Sequence, residues 1–117
     1  MLRAYSNSGK TTGTLEGTKV LDLTRHPPGA FCTMILGDYG AEVLKVEDLE
    51  GGDTTRGSLP RGKKFSAPFL ALNRNKKSIK LNLKEKEGTE IFLKLAKDHQ
   101  VILEEFRPGV TKRLRID

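Results

Sequence analysis

Lys19-Val20-Leu21-Asp22-Leu23 and Glu42-Val43-Leu44-Lys45-Val46-Glu47 are the two stretches on which the fold turns. The first is short and apolar, with Gly17 before it and Pro27-Pro28 after it, the punctuation of a buried strand. The second has the same character. Between them Pro28 stands where a first-turn proline loses no hydrogen bond, and Phe31, Met34, Ile35 and Asp38-Tyr39 continue at helical spacing until Gly40 offers a stop. Strand, helix and strand within about thirty residues is the span of a right-handed βαβ unit.

The pattern extends in the C-terminal direction. From Asp48 to about Leu72 no periodicity survives among Gly51, Gly52, Gly57, Pro60, Gly62 and Pro68, so a long loop is expected, of the kind that is more often functional or disordered than merely connecting. Alternation in Ser78-Ile79-Lys80-Leu81-Asn82-Leu83 predicts a half-buried strand with one wet face. A helix over 87–99 follows, with Ile91, Phe92 and Leu95 as its apolar stripe and Glu85 and Glu87 near its positive end. Val101-Ile102-Leu103 reads as a further parallel strand, and Pro108 opens a last short helix. The fold class is therefore α/β, a Rossmann-like, mostly parallel sheet with flanking helices. Ligands of such sheets bind at the carboxyl ends of the strands. Here those ends are the turn 25–29, the loop from Asp48, the Lys84 turn and the segment 104–108.

Composition narrows the chemistry. The 117 residues carry a net charge of +6, with 36% apolar and 31% charged side chains, a lean globular balance that favours an anionic partner. The charge is uneven: between Asp53 and Glu85 there is no acid, while Arg56, Arg61, Lys63, Lys64, Arg74, Lys76, Lys77, Lys80 and Lys84 all fall there. Such an interval can hold phosphates or form a solvated loop. Gly9-Lys10-Thr11 is not a phosphate-cradling loop, because the glycine required five places earlier is Ala4 and no strand precedes it. One cysteine and two histidines, His26 and His99, are too few and too scattered for zinc, so no metal is expected. Cys32, alone, makes no internal disulfide, which implies a reduced compartment, and its place on a helix predicts a buried structural thiol. No apolar run approaches the ~20 residues that cross a bilayer, so a soluble protein without a membrane partner is expected. Residues 1–14 read as a disordered tail or a mitochondrial presequence, with Arg3, Lys10, several hydroxyls and no acid; Arg3-Ala4-Tyr5-Ser6 resembles a matrix-protease cleavage site. The expected location is mitochondrial, otherwise cytoplasmic.

Five ordered segments resemble one known family. Residues 15–25 (LEGTKVLDLTR) and 37–47 (GDYGAEVLKVE) are similar to the opening βαβ of class III (CaiB/BaiF, formyl-CoA transferase-like) CoA-transferases. Residues 51–56 (GGDTTR), 72–79 (LNRNKKSI) and 101–110 (VILEEFRPGV) resemble later family segments in the same order. The resemblance covers about residues 15–117 and marks the chain as the family's N-terminal, coenzyme A-binding portion. It implies that CoA, as acyl-CoA substrate, lies across this unit. Leu81, Asn82, Leu83 and Lys84 fall where the family holds the adenine and a nearby phosphate. Phe106 and Arg107 fall on the CoA path, Arg113 matches an arginine aimed at the cofactor, and Pro27 and Pro28 follow His26 near the thioester end.

The chain also departs from the family. The usual Ala-Gly-Pro-Phe turn reads Pro28-Gly29-Ala30-Phe31; Asp48 stands where an arginine is common, and Glu105 where an asparagine is usual. Both carboxylates are expected to weaken CoA affinity. The family's nucleophilic aspartate, which forms an anhydride and then an aspartyl-CoA thioester, has no match among Asp22, Asp38, Asp48, Asp53, Asp98 and Asp117, so no catalytic residue is assigned. The resemblance implies a longer parent, an interlocked homodimer, that moves CoA from an acyl-CoA to a carboxylic acid, with succinyl-CoA and glutarate as a candidate pair. This portion is expected to be inactive alone. A non-catalytic CoA-binding or dimer-interfering fragment, or a fragment of an α-methylacyl-CoA racemase relative, is the alternative. Nucleic acid is not an expected partner, since the basic interval interleaves only Phe65 and Phe69 and carries no recognition motif.

Overall fold

A computed structural model describes residues 13–117. The expectations for residues 1–12, including the presequence, lie outside the described residues. Nine elements follow one another: β1 (Lys19–Asp22), α1 (Pro27–Asp38), β2 (Glu42–Glu47), a 3₁₀ turn (Thr54–Gly57), α2 (Ala67–Leu72), β3 (Lys76–Lys80), α3 (Lys86–Lys97), β4 (Val101–Leu103) and α4 (Val110–Leu114). The four strands form one sheet in the order β3-β2-β1-β4, and every pairing is parallel. Leu21 stands beside Leu44 on one side and Ile102 on the other.

Strand geometry sends neighbouring residues to opposite faces, and the core divides accordingly. Val20 and Val43 pack on one face with Leu36 of α1. Leu21, Leu23 and Val46 pack on the other with Phe92 of α3, which is 1% exposed. The chain moves outward from β1 to β3 and then returns past both to place β4 on the far side of β1. Because parallel crossovers are right-handed, the reversal puts α1 and α3 on opposite faces, and it makes the β1–β4 junction the switch point of the sheet, where a crevice opens at the strand ends.

Four sequence expectations need correction. The third strand is Lys76–Lys80 rather than 78–83, because Asn75 at φ 62 starts the extended run early and the chain turns at Asn82. The adjoining helix spans Lys86–Lys97 rather than 87–99. The segment from Asp48 to Leu72 is not structureless: Asp53 caps the 3₁₀ turn by accepting the Thr55 N–H at 2.8 Å, and Ser66 caps α2 by accepting from Phe69 N–H at 3.1 Å. Capping is a side-chain signal that hydrophobic periodicity does not register. Cys32 is exposed, because its neighbours Thr33 and Met34 take the buried face of α1.

This segment is tied to the sheet by buried charge. Lys45 is 1% exposed, donates to Thr24 O at 2.6 Å, and lies 2.7 Å from Asp53 Oδ2 and 3.7 Å from Asp22 Oδ2. Asp53 Oδ2 makes no hydrogen bond and faces the Lys45 ammonium as an ion pair, while Oδ1 of the same carboxylate accepts from Thr55. Asp22 also accepts from Thr24, Thr33 and Lys76. Glu47 takes both ends of the Arg56 guanidinium at 2.6 Å, the Asp53 N–H at 2.8 Å and the Ser78 hydroxyl. Burial alone would raise the Glu47 pKa, but the hydrogen bonds from Arg56, Ser78 and the Asp53 N–H, with the charge of Arg56, outweigh it and hold the carboxyl at about 2. Burial works likewise against Asp22, where Lys45 and Lys76 win and lower it; burial prevails at Lys76, whose pKa falls. Acids and bases match one for one, which is what lets this much charge sit away from water.

Candidate functional site

The crevice forms where the switch point leads the eye. A cavity of about 220 Å³ lies at the carboxyl ends of the strands, with Arg25 following β1, Asp48 following β2, Leu83 and Lys84 beyond β3, and Phe106 beyond β4. Arg113 and Leu114 of α4 close it from outside. A second cavity of about 440 Å³ shares Leu83, Lys84, Arg113 and Leu114 with the first and continues along the first turns of α3. Together they form a groove with an apolar floor of Leu83, Phe106 and Leu114 and charged rims on which Lys84, Lys86, Arg113 and Arg115 outnumber Glu85 and Glu90, with Arg25 beside Asp48 at one wall.

Local structure explains each wall. Asn82 Oδ1 accepts the Lys84 N–H at 3.1 Å, a turn that ends the extended run and lifts Lys84 to the surface. The turn is pinned against α3 at Gly88, where an added Cβ would lie 2.0 Å from the Asn82 carbonyl oxygen. Thr89 reaches the Leu83 carbonyl at 3.2 Å and the Leu114 carbonyl at 3.4 Å, so one hydroxyl links the turn to α4. Gly109, at φ 84, starts α4 and aims Arg113 back toward Lys84.

Of the residues named from sequence, Leu83, Lys84, Phe106 and Arg113 come together on these walls. Asn82 shapes the turn behind them. Leu81 (7% exposed) and Leu83 (6%) both pack in the core with Leu21, Val46 and Phe92, but only Leu83 also lines the two cavities, so the Leu81 side chain belongs to the interior alone. Pro27 and Pro28 are exposed in the first turn of α1, and Arg107 is exposed beyond β4; none of the three lines either cavity. Of the nine cations of the basic interval, Lys76 pairs with Asp22, Arg56 with Glu47 and Arg74 with Asp38, and Lys84 is the one that lines these two cavities. Sequence reasoning missed Arg25 as a wall residue. Its place at the end of β1 was visible, but the strand order that makes this end the crevice was not.

The two unusual carboxylates have internal partners. Asp48 Oδ2 is 2.5 Å from Arg25 Nη1. Glu105 Oε1 accepts the backbone N–H groups of Arg25 and His26, each at 2.5 Å, which ties the turn before α1 to the segment after β4. Among the described residues no cluster suits a metal ion, and no helix is long and apolar enough to cross a membrane.

An open parallel α/β sheet with a charged groove at its switch point is an architecture whose ligands bind at the strand ends. Within that architecture the chain belongs to CoA-transferase family III, whose model it matches over residues 15–117. It is similar to an acyl-CoA transferase of Fusarium pseudograminearum, 44% identical over 95% of this chain and 26% of that protein. The succinyl-CoA:glutarate CoA-transferase of Homo sapiens is 49% identical over 81% of this chain and 22% of its own length. A CAIB/BAIF family protein from Brucella suis has the same fold, with TM-score 0.85 and 35% identity over 91% of this chain and 29% of that structure. The chain thus spans about a quarter of the length of the curated relatives it matches.

Proposed function

We propose that this chain supplies the nucleotide-binding part of a coenzyme A site in a transferase that moves CoA from an acyl-CoA to a free carboxylic acid. The observation that carries the reading is the convergence of Lys84 and Arg113 across an apolar floor of Leu83, Phe106 and Leu114 at the sheet's switch point. The fit is chemical: a purine needs the apolar faces, and phosphates need the cations. Lys84 offers a point charge to a phosphate, and Arg113 a planar fork. Phe106 offers a ring face. Leu83, beside the turn, takes the base-packing role that position 81 was expected to fill.

The reaction itself belongs to the longer protein. There an aspartate outside the described residues would carry CoA as a thioester, splitting the transfer into two steps, in an interlocked dimer. Among the described aspartates Asp22, Asp38, Asp48 and Asp53 are engaged in ion pairs, which agrees with a carrier elsewhere. The identity with mammalian succinyl-CoA:glutarate CoA-transferases favours a dicarboxylate acceptor; a mitochondrial setting rests on the composition of residues 1–14 alone. The test is calorimetric titration of the chain with CoA. Binding is expected, weakened about tenfold by Lys84→Ala and by Arg113→Ala separately, the lower end for a hydrogen bond to a charged group. Unchanged affinity in both variants would refute the site.

A further inference from the structure

Arg25 is held at every point. Its N–H is taken by Glu105, its carbonyl accepts the Thr54 hydroxyl at 2.6 Å, its guanidinium lies 5.7 Å from the centre of the Phe106 ring, and Asp48 sits 2.5 Å from Nη1. Glu105 and Thr54 thereby anchor its backbone, and Asp48 and the Phe106 ring hold its side chain on the wall of the 220 Å³ cavity that Lys84 and Arg113 also line. The ion pair is not sealed. The Arg25 and Asp48 side chains are 33% and 35% exposed, so solvent and solutes reach both, unlike the Lys45–Asp53 pair at 1% and 0%.

A cavity with Arg25, Lys84, Arg113 and Asp48 has one cation already neutralised by the protein itself. We propose that Arg25 is a specificity-determining residue of this groove and that Asp48 is its resident counter-ion, which the most anionic ligands displace. Ligands whose charge is met by Lys84 and Arg113 leave the pair intact. A ligand with a further phosphate at this wall recruits Arg25 by competing with Asp48, so discrimination between ligands of different charge is set by the strength of the pair. Asp48 acts here through Arg25 and is a positioning residue. The expected penalty of a carboxylate facing phosphate becomes a threshold on ligand charge. This inference rests on the coenzyme reading for its ligand, though not for the pair itself.

The test is titration of the full chain with CoA, dephospho-CoA and inorganic pyrophosphate, for the wild type, Asp48→Asn, Arg25→Gln and the double variant, with folding checked by thermal unfolding. Asp48→Asn is nearly isosteric and frees Arg25. It is expected to tighten CoA about fivefold, the upper range for a solvent-reached pair, and to tighten dephospho-CoA less. Arg25→Gln in the Asp48→Asn background is expected to abolish the gain, the coupling a double-mutant cycle measures. A gain that survives in the double variant means that Asp48 repels the ligand directly, and the proposal is wrong. So it is if CoA binds and Asp48→Asn changes nothing, which leaves the coenzyme reading standing. If pyrophosphate follows the expected pattern while CoA binds no variant, the coenzyme reading falls and the Arg25–Asp48 threshold survives. If nothing binds any variant, both are overturned.

Discussion

Replacing Glu47 with glutamine removes one charge and almost none of the side chain's shape, so its cost isolates the electrostatics of the buried network. Glu47 is held at about 2 instead of its ordinary 4.5. At about 1.4 kcal/mol per unit of pKa, that depression contributes on the order of 3 kcal/mol, a large share of the roughly 5–15 kcal/mol by which a domain is stable. Breaking one partner of a buried pair costs about 3–5 kcal/mol, which agrees. Because the folded pKa is depressed, the contribution is complete above 4.5 and is lost as pH falls toward about 2. Urea unfolding of wild type and Glu47→Gln, extrapolated to water at neutral pH and at steps down that acid limb, measures the gap directly. Other depressed acids, Asp22 among them, are common to both proteins and largely cancel in the difference. The gap is expected to be about 3 kcal/mol at neutral pH and to close as Glu47 protonates. A gap below about 1 kcal/mol at neutral pH, within the range of an exposed pair, or one that stays constant down the acid limb, would refute the network as described.

Gly88→Ala drives a methyl group to 2.0 Å from the Asn82 carbonyl oxygen, so it is expected to cost about 1–3 kcal/mol in urea unfolding. It should weaken CoA binding in step, since the same turn carries Lys84; unchanged stability and affinity would contradict the close approach. Cys32, exposed on α1, is expected to react with a disulfide reagent in the native protein at nearly the rate of the denatured one. Strong protection would place it back inside.

How much of this was legible beforehand follows from which signals are local. Gly17, Pro28 and Gly40 punctuate the chain, and the apolar runs between them are continuous, so β1, α1 and β2 are close to where the sequence puts them. β3 is displaced because its alternation runs on through Leu81 and Leu83, whose burial comes from packing beneath α3 after the strand has ended. The segment from Asp48 to Leu72 hides its order for a related reason: Asp53, Ser66 and Arg56 stabilise it by polar contacts to distant partners.

The groove shows the same division. Lys84, Phe106 and Arg113 stand out in the sequence because residues 15–117 carry the family pattern in order; charge and position alone would read Lys84 and Arg113 as solvated helix-end cations. The sequence alone determined the family, the parallel α/β class and the residue types available to grip an anion. Only the tertiary structure decided which of them face the same space. It buried Leu81 against α3, spent Lys76 and Arg56 on internal carboxylates and set Arg25 against Asp48 at the adjoining ends of β1 and β2, while the crossing of β4 to the far side of β1 brought Glu105, eighty positions away, within hydrogen-bond reach of the Arg25 N–H. Side-chain identity fixes what a residue can bind; chain topology fixes what is near enough to be bound.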